Sequence, residues 1–433
     1  MHPPEPPREP SREQTPPAIR PATVAWVLLD WAASGFSTVL ITLLVAYVEQ
    51  VVFAGSPWGV PGGVVWAWTI AASMLVSAAV TPFVAAFADR RHAHQAALLA
   101  SIAVGGGACL LLAAVPPTAR AAVVLLVALA CVGFDLAAIF TGSLLAGLAR
   151  GRQADRLSAA GFAAGYAGGA IALAIAAAVV MAHARFGLTK PEALRVAFAL
   201  TGGWWLVFSL PAAVTRLEEG DGDAHAATSA GELVAFGRSL FGGAEARGVG
   251  NVLVGAVLTL GAVQTAIAQF STLAIDTFHL DAAALVRLVL LVQAVALPGA
   301  LAIGWLSGRW GRPAALALCL AGWVAVLVLA WFVQTPAQLT ALSVLLALVL
   351  GGVQSVIRAT VAVLAAPGRA GVTFGAMQVG TKLAGFVAGL LFGGAFAVLG
   401  HSRGGLLTLL AQVLLGWWFL ARGQASPSTS RIE

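Results

Sequence analysis

Asp30, Asp135, Arg358 and Lys382 place charge inside long apolar stretches of this chain. The two cations fall in residues 351–382, GGVQSVIRATVAVLAAPGRAGVTFGAMQVGTK, which read as the end of one apolar helix, a turn at Pro367-Gly368-Arg369 and the start of another. A charge at mid-helix in lipid costs about 2.5–3.5 kcal/mol on insertion scales. A partner carboxylate, a water-filled cavity or a bound anionic solute can offset that cost. Asp135 sits about 14 residues from either end of its run, which at about 1.5 Å per residue is near the middle of a bilayer. A carboxylate there either gains and loses a proton as a cavity faces alternate sides, or stays in a permanent ion pair. Lys382, about 15 Å deep by the same rise, either receives a substrate carboxylate or pairs with Asp135. Gln354, one helical turn from Arg358, joins Gln264, Gln269, Gln293 and Gln378 as uncharged groups available to a cavity.

Other chemistries find no support. Hydrolysis at membrane depth needs a nucleophile with a base, or a metal set, and no HExxH or GxSxG motif occurs. The histidines lie in tails, loops or at the ends of apolar runs. Cys109, Cys131 and Cys319 have no ligand or disulfide spacing and read as packing residues. The expectation is a non-enzyme with no cofactor and no metal.

The elements that must position these residues follow from composition. The chain has 433 residues, 60% hydrophobic and 10% charged, with mean hydropathy +0.92. Soluble domains carry about 25% charged residues. Unpaired sheet edges are excluded from lipid, and the apolar runs are continuous rather than alternating, which argues against a barrel. The class is an all-α polytopic membrane protein with twelve transmembrane helices, the first near 24–52 and the last near 406–421. The longest link divides them into two six-helix pseudo-repeats. The expected organisation is a disordered cytoplasmic tail (1–22), an N-terminal bundle (23–215), a cytoplasmic inter-bundle loop (216–248), a C-terminal bundle (249–421) and a cytoplasmic tail (422–433). Within the loop, Leu233, Phe236 and Leu240 have the spacing of a helix lying on the membrane surface. With the N-terminus inside, cytoplasmic segments hold 16 Lys and Arg against 4 outside. That bias places both termini in the cytoplasm. It also accounts for the net charge of +6 without nucleic acid. Arg195 and Arg287, near run ends, read as snorkelling side chains. The segments PFVAAFADRRHAHQAAL and GALAIGWLSGRWGRPAAL align Arg90 with Arg309, a moderate sign of paired repeats, which transporters commonly use.

This pattern resembles the major facilitator superfamily. Its loop signature after the second span appears as AFADRR at 86–91, and the second copy keeps Arg309, Gly311 and Arg312 but has Gly308 in place of the acid. Within the superfamily the chain is similar to the autophagy-type vacuolar effluxers and their bacterial relatives. The residues that carry this are Asp30-Trp31-Ala32 with Phe36 and Thr38; Gly133-Phe134-Asp135-Leu136; GGVQSVIR at 351–358; and Pro367-Gly368-Arg369 followed by Phe374-Gly375 and Lys382. Two departures stand out: Thr141-Gly142 replace the family's Tyr-Asn, and 149–156 replace its Pro-Pro-Glu-Arg turn.

The resemblance implies solute export by alternating access, with amino acids the best-known substrates, and the two readings of Asp135 leave proton coupling open. It implies a monomer in a bacterial inner membrane, with a lipid bilayer and a small-molecule substrate as its partners. Spans one, four, seven and ten would line the cavity, which lets Asp30 and Arg358 form a state-dependent ion pair. Span five would meet eight, and eleven would meet two, across the halves. The glycine stripes Gly161/Gly165/Gly169 and Gly385/Gly389/Gly393 would then be sliding surfaces. Asp89, with Arg90 and Arg309, would latch the inner gate, Asp89 meeting the N-terminus of span eleven. Competing readings are a drug or lipid exporter of the same fold and a non-transporting membrane receptor or assembly protein.

Overall fold

Twelve helices long and apolar enough to cross a membrane follow one another along the chain. The computed structural model describes residues 20–148, 152–217, 244–364 and 370–425, with isolated positions between 231 and 239. The expected surface helix at Leu233, Phe236 and Leu240, the turn at Pro367-Gly368-Arg369, and most of both tails lie outside the described residues.

The helices are α1 (Pro21–Val52), α2 (Gly62–Arg91), α3 (His94–Ala114), α4 (Arg120–Leu148), α5 (Arg152–Met181) and α6 (Lys190–Val214) in the first lobe. The second lobe holds α7 (Ala244–Phe278), α8 (Ala282–Trp310), α9 (Arg312–Phe332), α10 (Pro336–Leu364), α11 (Ala370–Leu399) and α12 (Arg403–Gln424). Several extend past the apolar runs that announce them, as α5 does by starting at Arg152. Hydropathy marks the stretch suited to lipid, whereas the backbone hydrogen-bond ladder continues into water.

Local signals set the ends. Thr189 caps α6 with a capping box to Glu192, and Pro191 sits in the first turn, where its missing N–H costs nothing. Asp281 caps α8 through Ala284 N–H. Gly311, at φ +85°, allows the sharp passage from α8 to α9 that a side chain would strain.

The two lobes are built alike. In the first, α1 packs on α5 and α3 packs on α4 and α6; in the second, α7 packs on α11 and α9 packs on α10 and α12. Arg195, near the start of α6, donates from Nε to Ala113 O at 2.8 Å and from Nη2 to Ala114 O at 3.0 Å, closing the end of α3. Arg403, at the start of α12, donates to Trp331 O at 3.0 Å and to Val333 O, closing the end of α9. Arg195 is thus a cap on orphan carbonyls rather than a snorkelling side chain.

Across the lobes, α2 meets α11 and α5 meets α8. The α11 glycines lie on that boundary: a Cβ at Gly389 would come within 2.9 Å of Ala71, and one at Gly385 within 2.6 Å of Met74 Sδ. The α5 stripe does not. Its Gly165 faces Ser34 and its Gly169 faces Ser34 and Thr38, and the neighbouring Gly168 faces Trp31, so these glycines seat α5 on α1 inside one lobe. The expected sliding role for Gly161, Gly165 and Gly169 gives way to close intra-lobe packing, because the face of α5 turned to α8 is the one carrying Tyr166.

Candidate functional site

The lobe boundary holds a cavity of about 490 Å³, a size typical of small-molecule sites. Asp135 on α4 and Lys382 on α11 stand in its wall, with Lys382 Nζ 2.6 Å from Asp135 Oδ1. Their side chains are 11% and 22% exposed, so the pair is shielded yet within reach of a solute. Gln264, Gln293, Gln354 and Tyr166 add polar edges, while most of the lining is aliphatic or aromatic. Gln378 lines a smaller pocket behind the pair, with Ser77 and Thr81. Gln269 does not serve the cavity; it is 2% exposed inside the second lobe.

A second chamber of about 300 Å³ adjoins the first through Ser37, Thr38, Phe134, Tyr166 and Gln293. Asp30 lines it together with Ser34 and Thr141. Asp30 reaches there because α5 carries Gly161 opposite it, where any side chain would collide with the carboxylate. Trp26 Nε1 donates to Thr141 O at 2.8 Å and ties this end of α1 to α4. Thr141, where the resemblance expects another residue type, therefore contributes both a wall and an anchor.

Arg358 is exposed and lies one turn along α10 from Gln354, towards the end of the bundle where Lys and Arg are most numerous. No ion pair joins it to Asp30 within 4.0 Å. The conformation explains why. Hydrogen bonds crossing the lobes among the described residues lie at mid-depth or at the opposite end. They include Trp66 Nε1 to Ala268 O at 3.0 Å, Trp68 Nε1 to Leu390 O at 3.4 Å and Gln50 Nε2 to Leu280 O at 3.1 Å. The lobes are joined at that opposite end, away from Asp30 and Arg358. At the arginine-rich end Arg90 is exposed, and Arg309 is exposed and stacked 5.6 Å over Trp305. The side chain of Asp89 lies outside the described residues.

Sequence reasoning missed Glu49. It sits at the closed end of α1, where Oε1 accepts from Thr272 Oγ1 of α7 at 2.6 Å. It also missed the two wide, π-helical turns of α1, Leu40–Leu44 and Val48–Val52. Such turns are frequent at functional sites and leave carbonyls free. Ile41 O, in the first, accepts from Ser271 of α7. A lone Glu in an apolar run was the available signal for the first; nothing in residue type announces the second.

A two-lobed bundle of twelve helices, with an ion pair across the lobes in a cavity closed at one end, has the form of an alternating-access carrier. Comparison with known proteins decides the family. The family described as "Vacuole effluxer Atg22 like" matches residues 65–426. The chain belongs to that family. An uncharacterised transporter of the major facilitator type, YxiO of Bacillus subtilis (strain 168), is 24% identical over 402 residues, covering 92% of this chain and 93% of that protein. Among solved structures, the nucleoside transporter NupG superposes with a TM-score of 0.71 at 12% identity, over 93% of this chain and all of NupG. A D-xylose–proton symporter superposes with a TM-score of 0.67 at 15% identity, over 94% of this chain and 98% of that one. At these identities the structures establish the fold. This Atg22-like chain is a transporter of the major facilitator superfamily.

Proposed function

We propose that this transporter exports a small zwitterionic or anionic metabolite, amino acids being the first class to test, by alternating access coupled to protons. The observation that carries the reading is the Lys382–Asp135 pair in the wall of the cavity. A substrate carboxylate drawn to Lys382 competes with Asp135. The released carboxylate then takes a proton, which travels with the next change of state. Asp30 and Arg358 extend the scheme. Both are unpaired while the arginine-rich end is open, and closing that end brings α1 and α10 together. An empty carrier then joins Asp30 directly to Arg358, and a zwitterion bridges them with its ammonium on Asp30 and its carboxylate on Arg358. Either way no charge is buried alone.

The bias of 16 loop cations against 4 supports an arginine-rich end facing the cytoplasm of a bacterial cell, with both termini inside. The open chamber then loads from within, the direction export requires. Asp89, Arg90 and Arg309 are the groups that would meet as that end closes. The carrier works as a monomer, since one chain forms the whole cavity.

The experiment is transport by purified protein in sealed vesicles. Asp135→Asn should lose accumulation driven by a pH gradient while keeping exchange of substrate for substrate. Full gradient-driven accumulation by that variant would remove Asp135 from proton coupling. A second reading, export of an amphipathic drug or lipid, is favoured by the mostly apolar cavity lining. It predicts that apolar compounds without a carboxylate compete for transport.

A further inference from the structure

We propose that Glu49 is a second coupling carboxylate, which takes up a proton as the gate opposite the arginine-rich end closes and releases it to water when that gate opens. The proposal stands on how the closed gate is built. Glu49 belongs to the second wide turn of α1 and reaches across the lobe boundary to Thr272, whose hydroxyl donates to its Oε1 at 2.6 Å. The beginning of α2 covers it. A Cβ at Gly62 would lie 2.8 Å from Glu49 Cα, and one at Gly63 would lie 2.7 Å from both Thr272 and Phe396 of α11. The carboxyl group is therefore walled by α1, α2, α7 and α11, and the residue is half-buried.

The charged groups around it offer no counter-ion. From α7 the facing titratable group is Asp276, one turn beyond Thr272, and it accepts the Ser402 N–H at 2.7 Å. The start of α2 and the end of α11 contribute glycine, aromatic and aliphatic residues. On α1 itself Gln50 donates to Leu280 O, and Tyr47 packs against Phe198 of α6. Of the cations at this end, Arg120 donates to Val52 O, Arg195 to Ala113 and Ala114 O, and Arg403 to Trp331 and Val333 O, while Arg185, Lys190 and Arg287 are exposed. His279 is exposed, and His401 Nδ1 lies 3.3 Å from Gly404 N. Among the described residues no cation lies within 4.0 Å of Glu49.

A half-buried ionised carboxylate without a partner cation, whose hydrogen-bond donor Thr272 is one helical turn from a second acid, is disfavoured. The neutral acid fits the same place, keeping the Thr272 hydrogen bond. Gate closure thus binds one proton from the water at that end, and gate opening returns it. Nothing else changes hands: the carboxylate becomes a carboxylic acid and reverts. This site is separate from Asp135, which has its own cation.

The test uses full-length protein in detergent, where both ends meet the same pH. Spin labels at Ser56→Cys and His279→Cys, exposed on opposite lobes beside this gate, report its width; Cys109, Cys131 and Cys319 are buried. In the otherwise native protein the closed population should rise as the pH falls. Glu49→Gln should be closed throughout, with the pH response lost, and Asp135→Asn should keep that response. A native response in Glu49→Gln overturns the proposal. If Glu49→Gln fails to assemble, Thr272→Val retains the acid without its donor and should displace the whole curve towards the open gate. An undisplaced curve overturns the proposal equally. The inference rests on the proton-coupled reading only for its place in the cycle: loss of the Asp135 role in vesicles would leave the gate titration standing.

Discussion

Lys382 and Asp135 join the two lobes by an ion pair 2.6 Å long. The pair belongs to different lobes, so it bears on both stability and motion. Removing one member of a buried pair leaves a charge without compensation, at a cost of about 3–5 kcal/mol. Asp135→Asn and Lys382→Gln should each lower the melting temperature in detergent. The double variant should recover most of that loss, because no lone charge remains. A double variant that melts lower than either single one would show that the two side chains act independently.

Asp30 and Arg358 make no ion pair within 4.0 Å. The proposed pair forms when the arginine-rich end closes. Asp30→Asn should slow transport through loss of the closed inner gate, and adding Arg358→Gln should restore part of the rate. The same double change should weaken discrimination between zwitterions and singly charged analogues. Substrate competition in vesicles reads both effects. If the double variant is no faster than either parent, the two groups have no functional contact.

The glycine stripes separate lobe assembly from lobe movement. Gly168 faces the Trp31 main chain, where a Cβ would come within about 3 Å of backbone atoms that cannot give way. Gly168→Val should therefore destabilise the first lobe and reduce the yield of folded protein. Gly389 faces Ala71 across the lobes with a Cβ distance of 2.9 Å. Gly389→Val should leave each lobe folded and push the α2–α11 contact open. Labels across that gate would then report a wider opening at unchanged thermal stability of the lobes. Equal loss of folded protein in both variants would contradict the division.

These cases mark what could be read from residue type and spacing. Twelve spans and two lobes are legible because continuous apolar runs admit no other solution in lipid. Asp135, Arg358 and Lys382 stand out because charge inside such a run demands a reason. The Lys382–Asp135 pair is one of two readings the sequence leaves open for Lys382, and the structure shows it; which reading holds depends on helix rotation, which an all-round apolar helix barely encodes in its sequence. The α5 glycines show the same limit: spacing reveals a close approach but not which neighbour approaches. Arg195 and Arg403 look like interfacial cations until the ends of α3 and α9 are seen beneath them. Glu49 was passed over because one acid near a run end resembles a boundary residue, whereas the wide turns of α1 carry it into the gate.

Gln269 is the clearest case of a polar group with no role in the cavity. It lies within the second lobe, 2% exposed, and neither its amide nitrogen nor its oxygen has a partner among the described residues. Trp323 Nε1 is likewise unpartnered and lines the same internal void of about 40 Å³. A void of that volume exceeds the roughly 10–15 Å³ that one water molecule needs. If water fills it, Gln269→Met exchanges a hydrated amide for an apolar chain of similar size and should change stability little. If it is dry, the buried amide costs about 1–3 kcal/mol, and the same substitution should stabilise the protein by a similar free energy and raise the melting temperature. The other apolar walls favour the dry case, as Phe270, Leu273 and Phe392 surround the amide. The expected outcome is therefore a stabilised Gln269→Met variant with native transport, measured by thermal unfolding and vesicle uptake on the same preparation. An unchanged melting temperature would show that the amide is satisfied by water.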